Sequence, residues 1–468
     1  MADDTRSGAA AVPAGRAGLG SLLTLTAYYF GLSILWGSMT TIVLPYLVGL
    51  HVPPGIKGSA LALIASLQAV VAIVVQPLAG AASDHLETGL GRRRPWMVAG
   101  VTAQALCIVG LALAGGYWTV LAIVLAIEVC SNSAQGPYQA LLPDLVPRGE
   151  RGVASGLLGG AQLAGQVVGV AAAGALVAAG YLAAAIIVAG ASVWLGMLIT
   201  VLGVPEPRAA VAGPRRTPPH GARAWLAELA SPGRWLGPVR AMIVEVWGRD
   251  ILEQRDYLWL LASRLAILMA TNTLQPFILY FLQDSLGLGP GAEAAVVPIA
   301  GLVALVALTS AVPGGILTDR WGRVRTVELS ALVGTVGALA FFLAPSYVWL
   351  FPVAIPFGLA IGIFLTADWA LLADVVPAGE AGRYLGLSNT VTAGSGLLSI
   401  VIAGPLADFI NGFRPGLGYR AIFLLAAVEF ALGAWFMRHV HEPAVSAPSP
   451  LGAHEASGPT EAPSGGGR

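Results

Sequence analysis

Few side chains in this sequence can do chemistry, and most of them interrupt apolar runs. The stretch Glu128 to Pro147, EVCSNSAQGPYQALLPDLVP, sets a carboxylate, Asn132, Gln135 and a Gly136-Pro137 break within and at the end of one such run. A charged side chain near mid-bilayer costs roughly 2.5–3.5 kcal/mol on the insertion scale, which makes function its default reading. A carboxyl facing a partly dry cavity is expensive as an anion. It can bind and release a proton as the cavity opens to either side, so Glu128 is the candidate proton-coupling residue. The alternative is a structural acid, paired with a cation or bonded to a neighbouring helix. Arg264 can pair with Glu128 or Asp368, bind hydroxyls or a carboxylate, or snorkel to the interface, eight residues after Asp256. Asp368 stands beside Trp369. That pair suits a ring rich in hydroxyls, the acid accepting hydrogen bonds and the indole covering a ring face. The alternative is a polar residue just inside the boundary, six residues before Asp374. The amides Gln68, Gln76, Asn132, Gln135, Asn272, Gln275 and Asn389 both donate and accept, although bonds between helices are their other use. Asn132, Gln135, Asn272 and Gln275 are taken as binding candidates with Arg264, Asp368 and Trp369. Glu429, in the last run, is expected to be structural. Tyr28, Tyr29, Trp36 and Tyr280 can stack on a ligand, but such residues more often pack or anchor.

The elements that position these residues must lie in a bilayer. Of 468 residues 56% are hydrophobic and 11% charged, against about 25% charged in a soluble domain. Mean hydropathy is +0.77. A membrane helix needs about 20 apolar residues, and twelve runs qualify: 23–50, 59–83, 96–115, 118–139, 153–178, 181–203, 257–282, 293–317, 327–345, 348–371, 385–409 and 418–439. The reading is an all-α membrane protein with two six-helix bundles, 23–203 and 257–440. A polar tail (1–22) precedes them, a Pro- and Arg-rich linker (204–256) joins them, and a Pro/Gly/Ser-rich tail expected to be disordered (441–468) follows. The tail at 1–22 has no signal-peptide layout. Part of the linker, Ala222 to Val246, can form an amphipathic surface helix. Lys57, Arg414 and Arg420 fall on one side, and Arg264 lies within a helix. The other 21 basic residues sit in the termini and in the loops after helices 2, 4, 6, 8 and 10. Both termini are therefore expected in the cytoplasm, with the chain in the cytoplasmic membrane.

The bundles are copies. ALLPDLVPRGERG (Ala140 to Gly152) returns as ALLADVVPAGEAG (Ala370 to Gly382), 230 residues on. GAASDHLETGLGRRR (Gly80 to Arg94) answers GILTDRWGRVR (Gly315 to Arg325), and Pro205-Glu206-Pro207 answers His441-Glu442-Pro443. A duplicated six-helix unit fits a transporter whose halves rock about a central site. The paired GxxxDRxGRxR-like loops on a six-plus-six layout resemble the major facilitator superfamily. The longer loop ending in Gly91-Arg92-Arg93-Arg94-Pro95-Trp96 resembles the glycoside–pentoside–hexuronide cation symporters and the sucrose/proton symporters. So does helix 4, where Glu128, Asn132, Gln135-Gly136-Pro137 and Ala140-Leu141 match the spacing of the sucrose symporters. Glu128 replaces their Asp, Gln139 stands where they commonly have Arg, and helix 2 lacks the acids of sodium-coupled relatives. The resemblance therefore implies a proton rather than sodium.

Asp84 and Asp319 end helices 2 and 8, where each can interact with a helix N-terminus. Arg92, Arg93, Arg94, Arg320 and Arg323 form the basic side of this network, and pairing of the arginines with Asp144 and Asp374 would make a cytoplasmic gate. Such pairs are weak singly, but a network that forms in one state biases an equilibrium. The glycines of helix 5 (Gly156, Gly159, Gly160, Gly165, Gly169, Gly174) and helix 11 (Gly386, Gly394, Gly396, Gly404) permit close contact or bending. Cys107 and Cys130 form neither a disulfide framework nor a metal pattern, and no metal or cofactor is expected. No nucleophile–base set or phosphate loop appears, so an enzyme is not expected. The expected partners are a small solute, which the resemblance implies is a sugar, a proton and lipid, with no nucleic acid, and the chain acting as a monomer. The competing expectation is a proton-driven exporter. Against it, helix 5, GLLGGAQLAGQVVGVAAAG, lacks the proline of the exporter motif.

Overall fold

The computed structural model describes residues 19–84, 93–146, 151–204, 254–289, 291–375 and 381–441. Among them, twelve helical spans are long and apolar enough to cross a membrane. The first half comprises α1 (Leu19–Ser38), α2 (Lys57–Asp84), α3 (Arg94–Ala112), α4 (Tyr117–Leu145), α5 (Arg151–Ala178) and α6 (Leu182–Gly203). The second comprises α7 (Arg255–Leu274), α8 (Ala292–Trp321), α9 (Arg323–Leu343), α10 (Leu350–Val375), α11 (Ala381–Asn411) and α12 (Leu417–Met437). Each apolar run closes its own hydrogen-bond ladder because lipid offers the backbone no partner. Leu106, Leu113, Val312 and Leu343 are more than two-thirds exposed on outer faces. Such a surface is anomalous in water and suited to acyl chains. Apart from their edges, the linker and both tails lie outside the described residues, as does the surface helix expected at Ala222 to Val246.

The duplication is visible in the packing. In the first half α1 packs on α5 and α6, α2 on α4, and α3 on α4 and α6. The second half repeats this with α7 on α11 and α12, α8 on α10, and α9 on α10 and α12. The leading helix of each half is broken at the same place. α1 continues through a π turn (Met39–Val43) into Leu44–His51, which carries Pro45. α7 continues through a 3-10 turn (Gln275–Phe277) that carries Pro276. Proline removes an N–H and clashes with the preceding turn, which interrupts both helices here. The Pro45 carbonyl accepts from the Tyr280 hydroxyl at 2.7 Å. The two breaks thus meet across the halves, and Tyr280, named above as a possible stacking residue, is part of that seam.

The halves touch where α2 meets α11 and α5 meets α8. At Gly404 a Cβ would lie 2.4 Å from the Gly58 carbonyl, and at Gly174 one would lie 2.7 Å from the Glu293 carbonyl. Both contacts sit at the end of the bundle that bears Lys57. At the arginine-bearing end of the same helices, Gly156, Gly159, Gly160, Gly315 and Gly394 have nothing within 4 Å. Close packing was one of the two uses considered for the α5 and α11 glycines. It applies here to Gly165, Gly169 and Gly174 and to Gly404, and not to Gly156, Gly159, Gly160 or Gly394. The reason is geometric: the halves diverge toward the arginine end, and the molecule is closed at one end and open at the other.

Candidate functional site

The second half brings together three helices around one cation. Arg264 of α7 bonds Asp368 of α10 through Nη1, and its Nη2 and Nε point to Thr392 Oγ1 of α11 at 3.2 and 3.4 Å. Its guanidinium carbon lies 5.4 Å from the Trp369 ring centroid, within cation–π range. The Arg264 and Asp368 side chains are each 4% exposed. The snorkelling alternative for Arg264 therefore fails. The side chain turns into the bundle, where a carboxylate compensates its charge. Of the two partners considered, it takes Asp368 and not Glu128. Asp368 is likewise interior rather than at the boundary, whereas the Trp369 side chain is largely exposed.

The first half holds its acid differently. Glu128 of α4 is buried. It accepts hydrogen bonds from Gln68 Nε2 of α2 at 3.2 Å and from Asn132 Nδ2, one turn on, at 2.7 Å. Among the described residues its partners are neutral amides and no cation. Asn272 donates to Ser395 at 3.2 Å and Gln275 to Thr41 at 3.2 Å, so these two amides tie helices together in this state. Gln135 is half-buried on α4.

Two spaces lie near these groups. A recess of about 280 Å³ opens beside Tyr29, Tyr138, Gln139, Leu158 and Gln162. Tyr29 and Tyr138 stack there with centroids 6.1 Å apart, while Tyr28 is fully buried against Tyr138. A second cavity of about 240 Å³ lies toward the closed end, between α5 of one half and α7, α8 and α10 of the other.

Among the described residues, the buried Glu429 of α12 accepts only from Thr273 Oγ1 of α7, at 3.1 Å, and its Oε1 has no hydrogen-bond partner. Replacing both partners of a buried hydrogen bond by apolar groups of similar shape can be nearly neutral or stabilising. The double variant Glu429→Met/Thr273→Val is therefore expected to melt near or above the parent temperature in detergent and to keep transport. A double variant that melts like its parent and no longer transports would overturn the structural reading of this acid.

Of the expected arginine-end network, Asp84, Arg92, Asp144 and Asp374 lie outside the residues whose side chains the structure describes. Arg93 Nη1 donates to the Pro137 carbonyl of α4 at 3.3 Å, and Arg323 Nη1 to the Ala370 carbonyl of α10 at 2.8 Å. Each of these two arginines ties α3 or α9 to its neighbour within its own half. Arg94 bonds the Val204 carbonyl at the end of α6. Asp319 and Arg320 are exposed at the end of α8.

The sequence reading missed the clasp at the closed end. Lys57 Nζ pairs with Asp284 Oδ2 at 2.8 Å and lies 4.9 Å from the Tyr280 ring centroid. Asp408 of α11 accepts from the backbone N–H groups of Gly58 and Ser59 at 2.9 and 2.6 Å. A carboxylate at a helix N-terminus is favoured by the dipole and by the free N–H groups. The available signal was charge of both signs, scarce in this chain, near the Lys57 end of three different spans. Each hydrogen bond to a charged group is worth about 1.5–3 kcal/mol. Asp408→Ala should therefore raise the population open at this end at least tenfold. Labelling of a cysteine introduced at Ser59 by a water-soluble maleimide measures it; equal rates with and without Asp408→Ala would dismiss the clasp.

Comparison with known proteins agrees with this architecture. The sequence profile described as the Major Facilitator Superfamily matches residues 20–400. The chain is 30% identical over 146 residues to the sucrose transport protein SUC4 of Arabidopsis thaliana, covering 28% of each chain. It is 30% identical over 142 residues to a D-xylose transporter of Levilactobacillus brevis, covering 30% of each. A third relative is the minor myo-inositol transporter IolF of Bacillus subtilis (strain 168), 30% identical over 129 residues, with 28% of this chain and 29% of that protein covered. The chain thus spans less than a third of the length of each of these relatives. Among solved structures, a bacterial homolog of the human lysosomal transporter Spinster, inward-facing and occupied, superposes with a TM-score of 0.65 at 16% identity, over 89% of this chain and 95% of that one. The nucleoside transporter NupG, in a mutant form, gives 0.64 at 15% identity, over 90% and 100%. These last two likenesses concern the fold. With twelve spans among the described residues, two repeated bundles and the profile match over residues 20–400, the chain belongs to the Major Facilitator Superfamily.

Proposed function

We propose that this transporter is a proton-coupled symporter of a sugar or glycoside. The observation that carries the proposal is the division of charge between the halves. The second half holds an internally balanced Arg264–Asp368 pair, whereas Glu128 in the first half is buried among amides. Moving an anionic Glu128 through a closed state is costly, and protonation removes that cost. The solute then binds between the halves. Its hydroxyls bond Asp368 and Arg264, and a ring face rests on the exposed indole of Trp369. The names of the three partial relatives, covering sucrose, xylose and inositol, support a polyhydroxylated solute. The arginine-rich loops support a cytoplasmic position for the open end, with the protein in the plasma membrane. In the transport cycle, opening of the closed-end clasp, the Lys57–Asp284 pair and the Asp408 bonds to Gly58 and Ser59, exposes Glu128 and the solute site to the outside. Reclosure then releases the proton and the solute inward.

The test is uptake into proteoliposomes driven by an imposed inward proton gradient, without sodium, with sucrose, maltose and other glucosides in parallel. The expected result is accumulation that an uncoupler abolishes. Absence of uptake for every sugar, with or without sodium, would transfer the assignment to a proton-driven exporter.

A further inference from the structure

The cavity near the closed end has a composition unlike that of a sugar site. Its walls include Leu163, Val167 and Val170 of α5 and Ile299, Val303 and Ala307 of α8. Phe341, Phe357 and Phe423 form its far side. Its polar lining is neutral and partly committed: Gln275 bonds Thr41, and the Thr271 hydroxyl bonds the Ile267 carbonyl of its own helix. Sugar hydroxyls placed here would lose water and gain few partners, which is unfavourable.

Two helices connect this cavity to the polar cluster. On α7, Thr271 at the cavity lies seven residues beyond Arg264, and on α10, Ile361 at the cavity lies seven residues before Asp368. Seven residues return to nearly the same helix face after about 10 Å of rise. Both helices therefore place the charged pair and the apolar chamber on one side, two turns apart. A sugar ring at the charged pair can direct a substituent into the chamber. Its volume of about 240 Å³ exceeds the roughly 150 Å³ of an engineered apolar cavity that binds benzene.

We propose that this chamber is an aglycone subsite, and that the transported solute is a glycoside carrying an aromatic group of about one ring. This rests on the sugar reading above and names the substrate class within it. Small differences in apolar fit in such pockets alter discrimination by roughly tenfold or more.

The experiment compares phenyl β-glucoside with methyl β-glucoside in the proton-driven uptake assay, each as substrate and as competitor of the other. The expected result is a KM at least tenfold lower for the phenyl glycoside, with that ratio reduced severalfold by Ala304→Phe and, less, by the milder Ala304→Val, both of which fill the chamber. Uptake of both glycosides with a KM ratio within threefold in the unaltered protein would overturn the subsite and leave the sugar reading standing. A ratio that persists in both folded variants would also overturn it. Neither glycoside being taken up nor competing would overturn both readings together.

Discussion

Arg264→Ala is expected to destabilise the purified protein by about 3–5 kcal/mol and to abolish transport. The size of the effect comes from what is left behind. Arg264 and Asp368 are both buried, and removing the cation leaves a buried carboxylate without its counter-charge. Loss of the contact with Trp369 and of the bonds to Thr392 adds to the change. The double variant Arg264→Leu/Asp368→Leu removes both charges, and replacing a buried pair by apolar groups is often neutral or stabilising. It should therefore melt near the parent temperature while remaining inactive. The measurement is thermal unfolding in detergent alongside uptake. An Arg264→Ala protein that melts like its parent would mean the pair is not buried in the working protein. A transporting double variant would remove the pair from the solute site.

Glu128→Gln should eliminate proton-driven accumulation, a loss of at least a hundredfold in gradient-dependent uptake, while leaving solute counterflow. Gln keeps the size and one acceptor oxygen, and its NH2 can donate to the Gln68 amide once that amide turns its oxygen inward, so the fold should tolerate it. It cannot ionise, so it cannot return a proton. Net uptake requires the empty carrier to reset after losing its proton, whereas exchange of labelled for unlabelled solute does not. Accumulation that survives the substitution would sink the coupling role. Loss of counterflow along with uptake would instead show that the residue serves solute binding or folding.

Much of this architecture could be read directly from composition. Lipid makes each span announce itself, and the duplication wrote the same loop twice. The polar residues inside spans were equally plain, because Glu128, Arg264 and Asp368 each interrupt an apolar run. Their pairing was not. Arg264 and Asp368 are 104 residues apart, and only the packing of α7, α10 and α11 selects that partner and adds Thr392. Asp408 was harder still. It lies near the end of a span, where acids are ordinary, and its partners are backbone N–H groups, which carry no residue signature. The facing breaks at Pro45 and Pro276 were visible as prolines, but their meeting across the halves is a property of the assembled bundle.

The clasp at the closed end also supplies a natural chemical reporter. Lys57 is the sole lysine among 468 residues, and its amine is held against Asp284 and the Tyr280 ring. An acylating reagent therefore finds one side-chain amine in the entire protein, shielded in this state and released when the halves part. The rate at which that amine reacts, resolved by peptide mass, reads the opening of the unmodified transporter directly, without an engineered probe.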